Sequence, residues 1–187
     1  MRGTQDQIAA SEWLVRELDK PADAPRANTS VFKMTDTGNH GETDIRVFYL
    51  PYAATVQQFQ EAATLIRTVE EIRRVFTINA SKAMVVRATP EQVAAADWIV
   101  QELGTPVTAD RLASAPYPMP ATDREGEEIL RVFYVKNLSS VPLFQQQVTQ
   151  IRSATKMRRV FTYNASMAMA VRGTAEQMLK DRQVAAK

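Results

Sequence analysis

The chain has 187 residues, 45% apolar and 24% charged, with a formal charge of +2 and a pI near 9.0, an ordinary globular composition. Zero cysteines exclude disulfides, thiolate catalysis and cysteine metal sites and leave the redox compartment open. No run approaches the roughly 18 apolar residues of a membrane span. The N-terminus shows no basic stretch ahead of an apolar core, and the mild positive charge reads as a mixed, solvated surface.

Residues 2–7 (RGTQDQ) open the chain and return twice. Residues 84–92 (MVVRATPEQ) and 169–177 (MAVRGTAEQ) carry the same segment, so that Arg2, Arg87 and Arg172 stand 85 residues apart. The register holds without insertion: residues 46–49 map to 131–134, 73–77 to 158–162, and Trp98 back to Trp13. Between 46 and 92 about half the positions recur in the next copy, the signature of an internal repeat. A unit of 85 residues is long enough to hold a small core of its own. Residues 1–18 are a partial module, a strand end followed by a helix. Residues 19–45 form a linker with room for an edge strand, and 46–103 a first full module. A Pro-rich linker spans 104–130, and 131–187 form a second full module.

The helix over 5–18 opens on Thr4 with Gln7 as its reciprocal cap. It is amphipathic, marginal by itself in water, and expected to dock on a neighbouring sheet or another molecule through Ile8, Leu14, Val15 and Leu18. Pro21 and Pro25 mark the linker that follows. Residues 31–34 could add an edge strand, although the second copy, with Pro116 and Pro118 at the matching place, argues for an edge position or none. Residues 46–50, β-branched and aromatic, predict a buried strand. Thr55 and Gln58 cap a helix whose stripe is Val56, Phe59, Ala63, Ile66 and Val69. In the next copy Val141, Phe144, Val148 and Ile151 hold that stripe, with Ser139 or Ser140 as the cap and Pro142 in the first turn.

Residues 74–78 and 83–87 are strand runs separated by Asn79–Ser81 and Lys82, a hairpin signal. The Asn-x-Ser of this turn also matches a glycosylation sequon, and the turn accounts for it. Thr89, Pro90 and Gln92 then open the second helix of the unit, with Val93, Ala96, Val100 and Leu103 along one face. In the last copy Asp181, Arg182 and Gln183 replace Ala96, Asp97 and Trp98, which predicts a degenerate, poorly docked final helix. Pro106, Pro116, Pro118 and Pro120 mark the second linker.

A strand, helix, hairpin and helix in this order, closed by VRGTAE at 171–176, resembles the short N-terminal modules of bacterial secretins and related TonB-dependent outer-membrane proteins. The first copy, VRATPE at 86–91, lacks the glycine. The resemblance covers both full modules and the partial one. It implies an α+β fold of tandem βαββα modules similar to the KH type, each with two helices on a three-stranded sheet. It further implies periplasmic or outer-membrane-associated modules that pack side by side into rings or receive partner proteins.

Catalytic chemistry finds little support. His40 is the single histidine, in a glycine-flanked stretch, and its counterpart is Glu125; with no cysteine nearby, zinc ligation lacks donors. No phosphate loop, nucleophile elbow or metalloprotease motif occurs. The adjacent acidic pairs Glu70–Glu71 and Glu127–Glu128 read as solvated faces. We therefore expect no enzyme, no cofactor and no metal.

The arginine pairs Arg73–Arg74 and Arg158–Arg159 are the most suggestive charged feature. They could grip carboxylates of a neighbouring protomer, phosphates or anionic lipid; otherwise they protect a strand edge. The leading expectation is a non-catalytic assembly module whose partners are neighbouring modules, a second copy, or a secretion or outer-membrane protein. The alternative is a KH-like nucleic-acid-binding protein that uses the arginine pairs. Against it, Gly3, Gly38, Gly41, Gly104, Gly126 and Gly173 make no G-x-x-G clamp.

Overall fold

The structure is a computed structural model that describes residues 3–20, 29–35, 41–108, 111–119, 129–157 and 159–178. Outside them lie Arg2, His40, Arg158, the prolines 21, 25 and 120, and the polar replacements Asp181, Arg182 and Gln183.

Helix α1 (Gln5–Leu18) comes first, then β1 (Phe32–Lys33), β2 (Asp44–Tyr49), α2 (Val56–Val69), β3 (Arg74–Ile78), β4 (Ala83–Ala88) and α3 (Pro90–Gly104). The second module repeats this as β5 (Tyr117–Pro118), β6 (Ile129–Tyr134), α4 (Val141–Thr155), β7 (Arg159–Tyr163) and β8 (Ala168–Gly173), with a helical turn at 175–178. The class is α+β, with two antiparallel sheets of order β1-β2-β4-β3 and β5-β6-β8-β7. Each sheet has four strands where three were expected. The short run before each module pairs at the edge of β2 or β6, the one place where Pro118 needs no ladder on its far side.

Local chemistry accounts for most element ends. Thr4, Thr55 and Thr89 each accept from the backbone N–H of the glutamine three residues on, and that glutamine accepts from the backbone N–H of its threonine. Thr174 and Gln177 repeat the box in the last helical turn. At α4 the pattern fails: Ser140 is the cap residue but makes no side-chain bond, and Leu143, where Gln58 stands in α2, cannot return the reciprocal one. Both hairpins turn through a short 3₁₀ segment, Asn79–Ser81 or Asn164–Ser166, and leave it through a left-handed residue, Lys82 or Met167.

What orders the layers is that both faces of each sheet are apolar. In the first sheet Phe48, Met84, Val86 and Ala88 face α2 and α3, while Ile45, Val47, Tyr49, Ala83 and Val85 face α1. The outer face of the second sheet, with Leu130, Val132, Tyr134, Ala168 and Ala170, packs into the same core as α2 and α3. Its inner face, with Phe133, Met169 and Val171, is covered by Phe144, Val148 and Ile151 of α4 and by Met178. The helical layer α2–α3 therefore serves two sheets. Its buried surface exceeds a single stripe, with Ala62, Leu65, Ala95 and Ile99 fully buried beside the expected residues. Val56 and Val141, expected in the stripes, are exposed in the first turn of their helices.

Helix α1 lies on the first sheet as α3 lies on the second. Trp13 stacks on Phe32 at 5.5 Å and Trp98 on Tyr117 at 5.2 Å. The Tyr49 hydroxyl donates to the Glu17 carbonyl at 2.9 Å and that of Tyr134 to the Glu102 carbonyl at 3.0 Å. Thr29 and Ser114 occupy matching buried places, their hydroxyls accepting from the N–H of Val47 and Val132. Asp6 further ties α1 down by accepting from the Thr35 N–H at 2.7 Å. Docking thus uses Ala10, Trp13, Leu14 and Leu18. Ile8 and Val15, expected to be buried, are 38% and 58% exposed. They lie on the helix face that in α3 carries the buried Val93 and Val100; α3 covers a second sheet, and α1 has none among the described residues.

Trp13→Ala should lower stability by about 2 kcal/mol through the lost ring packing and speed amide exchange along α1. Val15→Ala should stay within about 0.5 kcal/mol. Urea unfolding with hydrogen exchange tests both, and equal effects would contradict the docking geometry.

Candidate interaction interface

The contact between modules joins an apolar floor to a polar rim. Helix α2 lies along β7 and the turn Asn164–Ser166. At its start Glu61 accepts from the Asn164 N–H at 3.1 Å and from the Asn164 side-chain amide. Burial pushes the Glu61 carboxyl up and the Asn164 N–H pulls it down. Ala62, Leu65 and Val69 are buried along the helix. Tyr52 meets Tyr163 edge to face at 6.2 Å, and burial, then Tyr163, raises the Tyr52 phenol.

At the far end of α2, Arg159 bonds Glu71 at 2.9 Å and Arg172 reaches the Val69 carbonyl at 3.5 Å. Cations at a helix C-terminus meet its unpaired carbonyls and negative dipole end. Glu71 leaves α2 in the left-handed region, at φ 52. Glu70 is 1% exposed, so of this acidic pair only Glu71 faces solvent; Glu127 and Glu128 lie outside the described residues. Burial raises the Glu70 carboxyl from its ordinary 4.5 to about 7; Arg172 and Arg159 pull it down and Glu71 pushes it up. Burial raises the Tyr117 phenol, and the charges of Glu70 and Asp97 push it the same way. A second rim lies where Arg111 pairs with Glu102 and sits 5.0 Å over the Tyr134 ring. Burial, opposed by Arg111 and assisted by Glu102, raises the Tyr134 phenol to about 12.

In the first copy the two arginines of the pair part company. Arg73 is exposed, while Arg74 turns back to Glu42 at 3.3 Å with half its side chain in solvent. Arg159, the counterpart of Arg74, is 12% exposed on the module contact; Arg158 lies outside the described residues. The structure thus brings Arg159 and Arg172 to Glu70 and Glu71 at one end of the contact and Glu61 to Asn164 nearer the other, a set that reading along one copy does not reveal. Comparing copies carries the signal: Glu61, Glu70 and Glu71 become Gln146, Thr155 and Lys156 in α4, which has no following sheet to grip among the described residues.

Among the described residues no group of three or more His, Asp or Glu converges as a metal site would require, and no helix is long and apolar enough to cross a membrane. The concavities are shallow: one between Pro90, Glu91, Ala94 and Met119, the other along Ser11, Glu12, Val15 and Arg16 of α1.

No protein-family model and no curated protein sequence matches the chain. Among solved structures, ExeD of Aeromonas hydrophila is similar at 13% identity and TM-score 0.26, over 76% of this chain and 26% of that one. The N-terminal domain of the secretin XcpQ from Pseudomonas aeruginosa is similar at 10% identity and TM-score 0.30, over 76% of this chain and 60% of that one. XcpQN012 is similar at 13% identity and TM-score 0.30, over 84% and 67%. The chain spans less than two thirds of the length of the first two.

A carboxyl whose folded-state pKa is raised contributes stability that is complete below its unfolded pKa and lost as pH climbs through the folded one. For Glu70 that window runs from about 4.5 to about 7, and Glu61 acts in the same direction. Between pH 5 and pH 8 the melting temperature should therefore fall by roughly 5 °C more in the native chain than in Glu70→Gln. Parallel profiles in scanning calorimetry would show that Glu70 is solvated.

Proposed function

We propose that this chain is a non-catalytic protein–protein interaction module of the secretin N-domain kind, working through side-by-side packing of repeated βαββα units in a periplasmic or outer-membrane-associated secretion complex. The observation that carries the reading is the helical layer α2–α3, which buries apolar side chains against a sheet on either side. A module built this way is completed by its neighbour, and the same contact is available to other chains. The residue types at the contact fit the role: alanine, leucine and valine on the floor, with Glu61, Glu71, Arg159 and Arg172 at the rim. The secretin-type motif at 171–176 supports the periplasmic placing.

The nucleic-acid reading loses its main support at Arg159, which is bound to Glu71 and mostly withdrawn from solvent. A phosphate-binding surface needs cations that water and phosphate can reach.

Osmotic-shock fractionation with brief formaldehyde cross-linking in the native cell should find the protein in the periplasmic or outer-membrane fraction, in species heavier than the monomer. A cytosolic, uncross-linked monomer would end the proposal. In parallel, a labelled single-stranded RNA should show no salt-sensitive binding to the purified chain.

A further inference from the structure

The outer face of the second sheet carries two helices, α3 over the β5–β6 side and α2 along β7. The outer face of the first sheet carries one among the described residues: α1, which takes the place of α3. Nothing described stands where α2 would stand, and the residues there show it. Phe76 is 66% exposed, while its counterpart Phe161 packs against the core shared with α2 and α3. On the same face of β3 lies Ile78, part-buried, and α1 keeps Val15 exposed. Arg74 and Arg87 stand opposite each other on β3 and β4, as Arg159 and Arg172 do on β7 and β8. Asn79 stands where Asn164 receives Glu61.

We infer, building on the assembly reading above, that this uncovered half of the first sheet is a docking site for an amphipathic helix of a protein partner with the chemistry of α2. That chemistry is a carboxylate where Glu61 stands, small and branched apolar residues where Ala62, Leu65 and Val69 stand, and a C-terminal acidic pair where Glu70 and Glu71 stand. The acidic end meets Arg74 and Arg87, as the end of α2 meets Arg159 and Arg172 in the second module. Arg74 is held meanwhile by Glu42, whose carbonyl also accepts from Arg87 at 3.0 Å. The incoming carboxylates compete with the Glu42 carboxylate for Arg74 and with its backbone carbonyl for Arg87.

A second copy of this chain is the wrong occupant. Its α2 is already buried against the second sheet, and α4 offers Gln147, Gln150 and Ala154 in place of the apolar floor. Lys156 would come to the place of Glu71, against Arg74, a like-charge contact.

Fluorescence anisotropy on the full chain tests this with a labelled peptide of residues 55–72 (TVQQFQEAATLIRTVEEI). Gln60→Lys and Thr64→Glu, joined as a lactam, hold it helical. Saturable binding is expected, weakened at least about tenfold by Phe76→Asp in the protein or by Glu70→Lys with Glu71→Lys in the peptide, and weakened by salt. An equally bridged α4 peptide, residues 140–157, should bind at least about tenfold more weakly. Circular dichroism of Phe76→Asp, an exposed position, confirms that the variant folds. No saturable binding up to about 1 mM, equal binding of the two peptides, or indifference to Phe76→Asp would overturn the inference. So would light scattering that shows a dimer which Phe76→Asp abolishes. If the peptide fails to bind while heavy cross-linked species persist in cells, the docking site is refuted and the assembly reading survives.

Discussion

A β-sheet that is apolar on both faces must be covered on both, and this requirement sets the arrangement of the molecule. Alternation along β2 sends Ile45, Val47 and Tyr49 to one side and Phe48 to the other, and both sides are buried. Neither module covers both faces of its sheet with its own helices among the described residues. Covering is therefore shared: α2 and α3 close their own sheet from within and the next sheet from without. The repeat is the sequence record of that sharing, and the proposed docking site is the same contact seen from the side that nothing described covers.

Apolar contact sets the layers, and charge sets which helix belongs where. Glu70 and Arg172 are both buried, and taking such charges out of water costs desolvation that their mutual attraction offsets only in part. A hydrocarbon pair in their place would serve cohesion better. What ionic groups add is discrimination, since α2 meets Arg159 and Arg172 with carboxylates where α4 would offer threonine and lysine.

Much of the fold was legible in one dimension. The threonine–glutamine caps at Thr4, Thr55 and Thr89 place three helix starts, because the cap is a local bond between residues three apart. The β3–β4 hairpin follows from Asn79 and its neighbours for the same reason. The short edge strands were visible only as alternatives, since two-residue pairings leave no periodicity to read. The module contact was harder. Glu70 beside Glu71 looks like a solvated face until the next sheet is laid over it, and the partners Arg159 and Arg172 are remote in sequence. Ile8 and Val15 misled for the converse reason: they keep the apolar character of Val93 and Val100 on a helix with one sheet to cover. The differences between copies, Leu65 against Gln150 above all, encode which helices are enclosed on two sides.

The equivalence of α1 and α3 puts the boundaries of sequence copies out of step with the boundaries of cohesion. Each of these helices is encoded at the end of one copy, yet its tryptophan, Trp13 or Trp98, stacks on the edge strand of the next. Excising a unit at the copy junction would strip its sheet of a lid, whereas a fragment begun one helix earlier would carry that lid with it. Recombination that shuffles such units would preserve packing only when its crossover points fall ahead of the borrowed helix, so the heritable unit and the folding unit are offset by one element.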